Sequence, residues 1–411
     1  MRFLRKILLA IAVIIVLAFF KPLFTKLFPL SLIFHYNLIS SIQLLLLLWA
    51  VITGLLETTL WKKLPPAKAR LLSGLSFLVL MALAETGCCW MIGHPSLIPV
   101  RYLPAFQYYY NNYQRNILQF DRRIARYDTT LFYKMIANNR CVFSNVEFSD
   151  SIFTDANGFR DKDNTISHPH VLCLGDSYTL GWGVGQNECY PSLLAKLLHT
   201  PVLNTGMSSY GTAREIASVR PLDKSAISTV VIQYCPNDAD ENETCASNDY
   251  RLVVSPPHVY DSAATELKWS EIWFPGKYVC TLLKIFLSEK IAALRDSRPS
   301  SSSQDDSAQY DKEARWFLGI LQTSGFNFDK VRVFVFEIDA YSSLNGKFVR
   351  ALEAKLADPK YNTFFKDHIR PLHIEALFTP ADYYLLDEHL RPAGQLKLAH
   401  YLARMIQTDA K

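Results

Sequence analysis

Two long apolar stretches near the N-terminus constrain this chain most, because only helices or closed barrels satisfy the backbone inside a lipid bilayer. Residues 38–61 and 71–92 are each long enough to cross a hydrocarbon core of roughly 30 Å as a helix. A shorter apolar run, residues 7–20, follows three basic residues as in a signal peptide, but its Phe-Phe-Lys end offers no small-residue cleavage site. We therefore predict a transmembrane region of about three helices over residues 1–95.

The charges around these runs predict their orientation. The loop between the second and third runs carries Lys62, Lys63, Lys68 and Arg70. After residue 92 only Arg101 lies near the membrane. Because loops rich in Lys and Arg stay in the cytoplasm, the chain after residue 92 is predicted to lie outside it. Glu85 lies within the third run, and we expect it to pair with another helix rather than to carry protons.

The overall composition excludes some classes of function. The chain has 411 residues and a net charge of +5. Its basic residues are scattered or flank apolar runs, so we expect no nucleic-acid partner. The sequence contains no glycine-rich phosphate cradle, dinucleotide fingerprint or metal-ligand cluster, so we expect no cofactor and no metal ion. The cysteines are treated as structural; a disulfide is allowed outside the cytoplasm, with Cys235 and Cys245 closing the shortest loop.

Residues 96–156 are predicted to form a juxtamembrane stalk and lead-in. Aromatic and basic side chains are interleaved there, as in Tyr108-Tyr109-Tyr110 and Arg122-Arg123. This composition suits the headgroup region of a membrane. We expect the stalk to dock back on the domain that follows.

Strand-like runs alternate with amphipathic helical patterns over much of residues 157–411, which predicts a parallel sheet with helices on both faces. The predicted strands are residues 170–174, 202–204, 229–234, 331–338 and 372–376. The predicted helices are residues 190–199, 213–219, 310–322, 347–356 and 392–406. Right-handed crossovers would join them into a three-layer α/β/α sandwich whose strands all end at one rim.

Residues 239–309 break this alternation and are predicted to be an insertion. Residues 297–306, SRPSSSSQDD, have the composition of a flexible linker. Residues 269–294 contain several aromatic side chains and a helical pattern. This segment either covers the site as a lid, rests on the bilayer, or packs on the domain without touching substrate.

Polar residues gather where the predicted strands end. Gly175-Asp176-Ser177 follows the first strand, Asn204-Thr205-Gly206 ends the second, residues 235–238 follow the third, and Asp387-Glu388-His389 precedes the last helix. Ligands of open α/β sheets bind at such strand ends. Nucleophilic ester chemistry needs a hydroxyl, a base, a group that orients the base, and donors for the oxyanion. The rim supplies each of these residue types.

The order of these blocks resembles the SGNH hydrolases, also called the GDSL family. The resemblance covers residues 157–405, and the lead-in Asn157-Gly158-Phe159-Arg160 is similar to the membrane-anchored bacterial branch. It implies the SGNH, flavodoxin-like form of the sandwich.

The resemblance also implies a role for each block. Ser177 would be the nucleophile and His389 its base. The Ser177 N–H, the Gly206 N–H and the Asn237 side-chain amide would form the oxyanion hole, and Asp387 would orient His389.

The spacing of the acid departs from the usual family pattern. That pattern places the aspartate three residues before the histidine, where this chain has Leu386. The Asp-x-His block is instead similar to that of the alginate O-acetyltransferases. Asp176 and Asp238 are expected to hydrogen-bond their own turns or loops. No role is assigned to His168, His170, His258 or His373.

Three functions remain open. The first is a membrane-anchored serine esterase that removes acyl groups, in particular acetyl, from an extracytoplasmic ester or acylated glycan. The second is an O-acyltransferase that acetylates an envelope polysaccharide with the same three residues and needs a multi-span membrane partner to supply the acyl donor. The third is an inactive binding protein on the same fold. The resemblance implies a multi-pass protein of the bacterial inner membrane with a periplasmic domain.

Overall fold

The chain folds into two compact units. The structure is a computed structural model that describes Leu4 and residues 6–15, 32–161, 167–295, 303–365 and 367–409. The first unit contains Met1–Arg115 and Ser262–Pro299, and the second contains Asn116–Asp261 and Ser300–Lys411.

The elements are numbered in chain order. The helices are α1 (Lys6–Ile15), α2 (Leu32–Thr58), α3 (Pro66–Gly93), α4 (Leu103–Tyr113), α5 (Ser177–Leu180), α6 (Tyr190–Leu198), α7 (Thr212–Val219), α8 (Ala239–Ser247), α9 (Pro257–Ser270), α10 (Val279–Arg295), α11 (Ser303–Gln322), α12 (Lys347–Leu356), α13 (Pro359–Phe365) and α14 (Pro392–Asp409). The strands are β1 (Ala125–Asp128), β2 (Phe132–Met135), β3 (Arg140–Ser144), β4 (Ser149–Phe153), β5 (Val171–Leu174), β6 (Val202–Asn204), β7 (Thr229–Tyr234), β8 (Arg332–Glu337) and β9 (Ile369–Leu372).

The first unit is built on apolar helices. Residues Tyr36–Thr58 of α2 and the whole of α3 are long and apolar enough to cross a membrane, in agreement with the second and third predicted runs. α1 is a shorter apolar helix, and residues 16–20 of the first predicted run lie outside the described residues. α10 packs against α2, α3 and α4. The C-terminal part of the predicted aromatic segment, residues 279–294, is therefore a packed helix of this unit.

Polar side chains join the helices of the first unit. The Glu85 carboxylate on α3 accepts the backbone N–H groups of Tyr278 at 3.2 Å and Val279 at 2.9 Å, where α10 begins. The first amides of a helix have no intrahelical acceptor, so this carboxylate caps α10. The predicted pairing of Glu85 with another helix is confirmed. Lys6 of α1 forms an ion pair with Glu57 of α2 at 2.6 Å.

A five-stranded parallel sheet forms the centre of the second unit. Its strand order is β6-β5-β7-β8-β9, which is the flavodoxin-like order, and Val171 lies opposite Val202 in the register of β5 and β6. Side chains alternate between the two faces. Leu172 packs with residues of α7, α11 and α12, whereas Cys173 packs with residues of α6 and α14. Helices cover both faces, so the predicted α/β/α sandwich with a parallel sheet is confirmed.

Most predicted bounds agree with the structure within a few residues, and two clearly differ. The last strand is β9, Ile369–Leu372, whereas the apolar pattern predicted residues 372–376. β9 lies at the edge of the sheet, where Pro371 is tolerated and Arg370 makes the strand less apolar than a central one. α11 begins at Ser303, so residues 303–306 of the predicted linker are helical; residues 297–302 lie outside the described residues.

Two antiparallel hairpins occupy most of residues 116–156, within the predicted stalk. β1 pairs with β2, and β3 pairs with β4. These residues belong to the second unit. Phe143 and Phe148 share a buried cluster with Trp182 and Tyr384, which flank the Gly-Asp-Ser and Asp-Glu-His blocks in sequence. The β3–β4 hairpin therefore packs on the rim that carries the predicted site.

Candidate active site

Ser177 lies at the turn where β5 passes into the short helix α5. The Asp176 carboxylate accepts the Tyr178 N–H at 3.0 Å, and the Asp176 N–H donates to Gln233 Oε1 at 2.9 Å. The prediction that Asp176 hydrogen-bonds its own turn is confirmed. A Cβ atom at Gly175 would overlap Gln233 Oε1. Glycine is therefore required where the turn packs on β7.

Ser177, His389 and Asp387 form a continuous hydrogen-bonded chain. Ser177 Oγ lies 2.7 Å from His389 Nε2, and His389 Nδ1 lies 2.6 Å from Asp387 Oδ1. The exposed fractions of these residues are 7%, 8% and 1% respectively. A carboxylate cannot donate, so Nδ1 carries the proton that bonds Asp387, and the neutral imidazole has Nε2 free to accept the serine proton.

The two-residue spacing between Asp387 and His389 is accommodated by the residue between them. Glu388 has a φ angle of 61°, in the left-handed region that few non-glycine residues adopt. The turn is closed by the Tyr384 N–H, which donates to the His389 carbonyl at 2.9 Å. The Tyr178 hydroxyl donates to the Glu388 carbonyl at 3.2 Å. This left-handed residue turns Asp387 back toward the imidazole.

Two aromatic rings lie against the imidazole. Trp182 stacks on His389 with a centroid distance of 5.1 Å and an interplanar angle of 21°. The Tyr178 ring lies 4.7 Å from the imidazole centroid. These rings restrict the rotation of His389, which keeps Nε2 directed at Ser177.

Arg160 holds the loop that carries Trp182. Its guanidinium donates to the carbonyls of Leu180 at 2.8 Å, Gly181 at 2.6 Å and Val184 at 2.6 Å. The side chain is buried, and this burial lowers the pKa of the guanidinium. In the sequence Arg160 stands out only as part of a lead-in block, because nothing local shows that it reaches a loop some 20 residues later.

The other predicted oxyanion donors lie beside the serine turn. The Asn237 side-chain amide donates to Asp176 Oδ2 at 3.4 Å. The Gly206 N–H donates to Asn204 Oδ1 at 3.0 Å. A Cβ atom at Gly206 would overlap the Leu180 backbone nitrogen, so glycine permits the close approach of the two loops. Both of these predicted donors therefore already have an acceptor within the protein.

Buried carboxyl groups lie behind this rim. Asp238 Oδ2 accepts the Thr212 hydroxyl at 3.0 Å, which agrees with its predicted bracing role. Burial raises the pKa of Asp238, and burial together with the charge of Asp238 raises the pKa of Glu215. Burial also raises the pKa of Asp176, whereas the hydrogen bond from the Tyr178 N–H opposes that shift. These shifts favour the protonated carboxyl groups, which reduces the negative charge behind Ser177.

All eight cysteines are free thiols, including Cys235 and Cys245, for which a disulfide was allowed. Among the described residues, no group of three His, Cys, Asp or Glu side chains has the geometry of a metal site.

Comparison with known proteins shows structural similarity alone. No protein-family model matches the chain, and no curated protein matches it. A solved structure described as a lipolytic protein of the G-D-S-L family, from Desulfitobacterium hafniense DCB-2, is similar with a TM-score of 0.29 and 10% identity, over 57% of this chain and 97% of that chain. A lipase from a goat rumen metagenome is similar with a TM-score of 0.28 and 13% identity, over 57% and 95%. At these values the similarities do not assign an activity to this chain.

Proposed function

We propose that this chain is a membrane-anchored serine ester hydrolase of the SGNH type, which removes acyl groups, in particular acetyl, from an extracytoplasmic ester or acylated glycan. The observation that carries the proposal is the hydrogen-bonded chain from Ser177 Oγ through the His389 imidazole to Asp387. A hydroxyl, an imidazole and a carboxylate in this order perform acyl transfer on several unrelated folds. An inactive binding protein would not need these three groups in mutual hydrogen-bonding contact.

In the proposed reaction, Ser177 Oγ attacks the ester carbonyl while His389 Nε2 takes its proton. Asp387 stabilises the imidazolium that forms. The imidazolium then gives its proton to the departing alcohol, which leaves an acyl group on Ser177. Water attacks this acyl-enzyme with His389 again as the base, and the acid product leaves.

The oxyanion of each tetrahedral intermediate is assigned to the N–H groups of Ser177 and Gly206 and to the Asn237 amide. The amide nitrogen of asparagine carries two protons, so Asn237 retains one donor beside its bond to Asp176. The Gly206 N–H must be shared between Asn204 and the oxyanion or be released by Asn204. Preorganised donors of this kind lower the barrier because they need little reorganisation during the reaction.

An O-acyltransferase is the second candidate, and the Asp-x-His spacing favours it. Such an enzyme passes the acyl group from Ser177 to a glycan hydroxyl instead of water. The described helices that are long and apolar enough to span a membrane are α2 and α3, too few for a route that carries an activated donor across. This candidate therefore requires a separate multi-span partner. The hydrolase is the simpler hypothesis, because it needs only water and an ester.

We place the second unit on the periplasmic side of a bacterial inner membrane. The basic residues between α2 and α3 support a cytoplasmic loop there. A reporter enzyme that works only outside the cytoplasm, fused after Met405, should be active. A reporter that works only in the cytoplasm should be inactive at the same position, and the reverse pattern would contradict this orientation.

The proposed activity is tested with a small activated ester and the full chain in detergent. Ser177→Ala should lower turnover by roughly a thousandfold or more with thermal unfolding unchanged. Near-normal turnover by that variant would eliminate Ser177 as the nucleophile.

The same preparation separates the two candidates. The protein is incubated with an acetyl donor ester and glycan fragments, and mass spectrometry follows free acetate and acetylated glycan. Acetate release that the glycans leave unchanged supports the hydrolase. Acetyl groups that appear on glycan, and that Ser177→Ala abolishes, support the transferase instead.

A further inference from the structure

Glu147, in the turn between β3 and β4, is bound to the loop that carries the acid and the base. Its Oε1 accepts the Leu385 N–H at 2.8 Å. Its Oε2 accepts the N–H groups of Leu386 at 2.7 Å and Asp387 at 2.9 Å. One carboxylate thus binds three consecutive backbone amides that end at the proposed orienting acid.

These three bonds are strong for a side chain that joins two loops. Hydrogen bonds to a charged acceptor are shorter and stronger than those between neutral groups. Burial raises the pKa of Glu147, and the nearby charge of Asp387 adds to this shift, whereas the three N–H groups stabilise the ionised carboxylate. The position of the Asp387 backbone therefore depends on the presence of a carboxylate at residue 147.

The same hairpin also contacts the aromatic ring that stacks on the imidazole. Phe143 lies edge-on to Trp182 at a centroid distance of 4.7 Å, and Phe148 does so at 6.4 Å. Trp182 in turn stacks on His389. The β3–β4 hairpin thus contacts both the ring against the imidazole and the loop that supplies its acid.

From this geometry we infer that Glu147 is a positioning residue for the reaction, acting on His389 through Asp387. The inference rests on the proposed function. Glu147 fixes the backbone of residues 385–387, which directs the Asp387 carboxylate at His389 Nδ1. Its carboxylate binds the backbone of residues 385–387 rather than the Ser177 side chain, so we expect it to affect the chemical step rather than substrate binding.

Loss of Glu147 has a defined electrostatic consequence. His389 is surrounded by Asp387 in direct contact and by the nearby carboxyl groups of Asp176 and Asp339, with Tyr178 against its ring. When Asp387 is no longer held at Nδ1, the imidazolium loses its main stabilising charge. The barrier to the step in which His389 takes the serine proton then rises, and kcat falls.

The experiment compares Glu147→Gln and Glu147→Asp with the unmodified full chain in detergent, with a small activated ester as substrate. Glu147→Gln replaces one acceptor oxygen with an NH₂ group that repels an amide N–H. We expect kcat to fall by roughly tenfold or more with KM within about twofold. Glu147→Asp keeps a carboxylate and should recover part of kcat, and it serves as the test variant if Glu147→Gln does not fold.

Two control variants separate positioning from general damage. Glu243→Gln removes an exposed carboxylate on α8, and Ser149→Ala removes the hydroxyl that bonds Ser144 across the β3–β4 pair. Both should retain the kcat and KM of the unmodified protein.

Failure of the inference differs from failure of the proposed function. Absence of ester turnover by the unmodified protein would overturn the proposed function. Turnover that Ser177→Ala abolishes but whose kcat Glu147→Gln leaves unchanged would overturn the inference alone. An effect of Glu147→Gln confined to KM would overturn it as well.

Discussion

Replacing Asp387 with asparagine tests the assignment of the orienting acid. Asp387 is buried and its Oδ1 lies 2.6 Å from His389 Nδ1. During the reaction His389 becomes positively charged, with the centre of its charge about 4 Å from the carboxylate. At an effective dielectric constant of about 20, a pair at this separation is worth about 4 kcal/mol. This corresponds to a loss of roughly a thousandfold in kcat.

Asparagine adds a second effect that works in the same direction. Its NH₂ group can donate to Nδ1, which places the imidazole proton on Nε2 and removes the acceptor for the Ser177 hydroxyl. We therefore expect Asp387→Asn to lower kcat by roughly 10³–10⁴-fold, with thermal unfolding near that of the unmodified protein.

The matched control is Glu388→Gln, one residue away. Glu388→Gln keeps the backbone carbonyl that accepts from Tyr178 and the backbone N–H that donates to Tyr384. Steady-state kinetics with a small activated ester should show turnover within about threefold of the unmodified protein. If Glu388→Gln were the more damaging change, the assignment of Asp387 would be wrong.

Three further predictions concern the support of the site and the stability of the second unit. Arg160→Leu leaves three buried carbonyl groups without their donor, and should lower the free energy of unfolding by about 3 kcal/mol or more, measured by denaturant unfolding. Glu388 has a left-handed backbone conformation, which costs a non-glycine residue about 1–2 kcal/mol. Glu388→Gly should therefore leave the midpoint temperature of unfolding equal or higher, whereas Glu388→Val should lower it. Burial raises the pKa of Glu337 from 4.5 to about 7. The unfolded chain therefore loses this proton before the folded chain does, and stability should fall by about 3 kcal/mol between pH 4.5 and 7. Glu337→Gln should remove that part of the pH dependence, and an unchanged profile would contradict it.

The central sheet could be predicted from sequence because its strands are continuous apolar runs. β6 and β7 have the predicted bounds, and every residue in them is buried. A parallel strand covered on both faces gives this pattern. β9 could not be found in the same way, since only two of its four residues are buried.

The positions of Ser177 and His389 could be predicted because each lies in a recognisable local block. Their contact joins residues 212 positions apart, and only the family resemblance predicted it. Glu147 had no such signal: it contacts Leu385 across 238 positions, and no local pattern links a hairpin turn to that loop. Glu388 likewise has an ordinary side chain, and its left-handed backbone is imposed by the turn around it.

The most direct measurement of the central claim is the site of covalent labelling by an activated organophosphonate, which reacts with serine residues that a neighbouring base activates. The full chain in detergent is treated with the reagent, digested and mapped by mass spectrometry, in parallel with His389→Ala. We expect a single phosphonyl adduct on Ser177 in the unmodified protein and little or none in His389→Ala. An adduct on another residue, or equal labelling of Ser177 without His389, would contradict it.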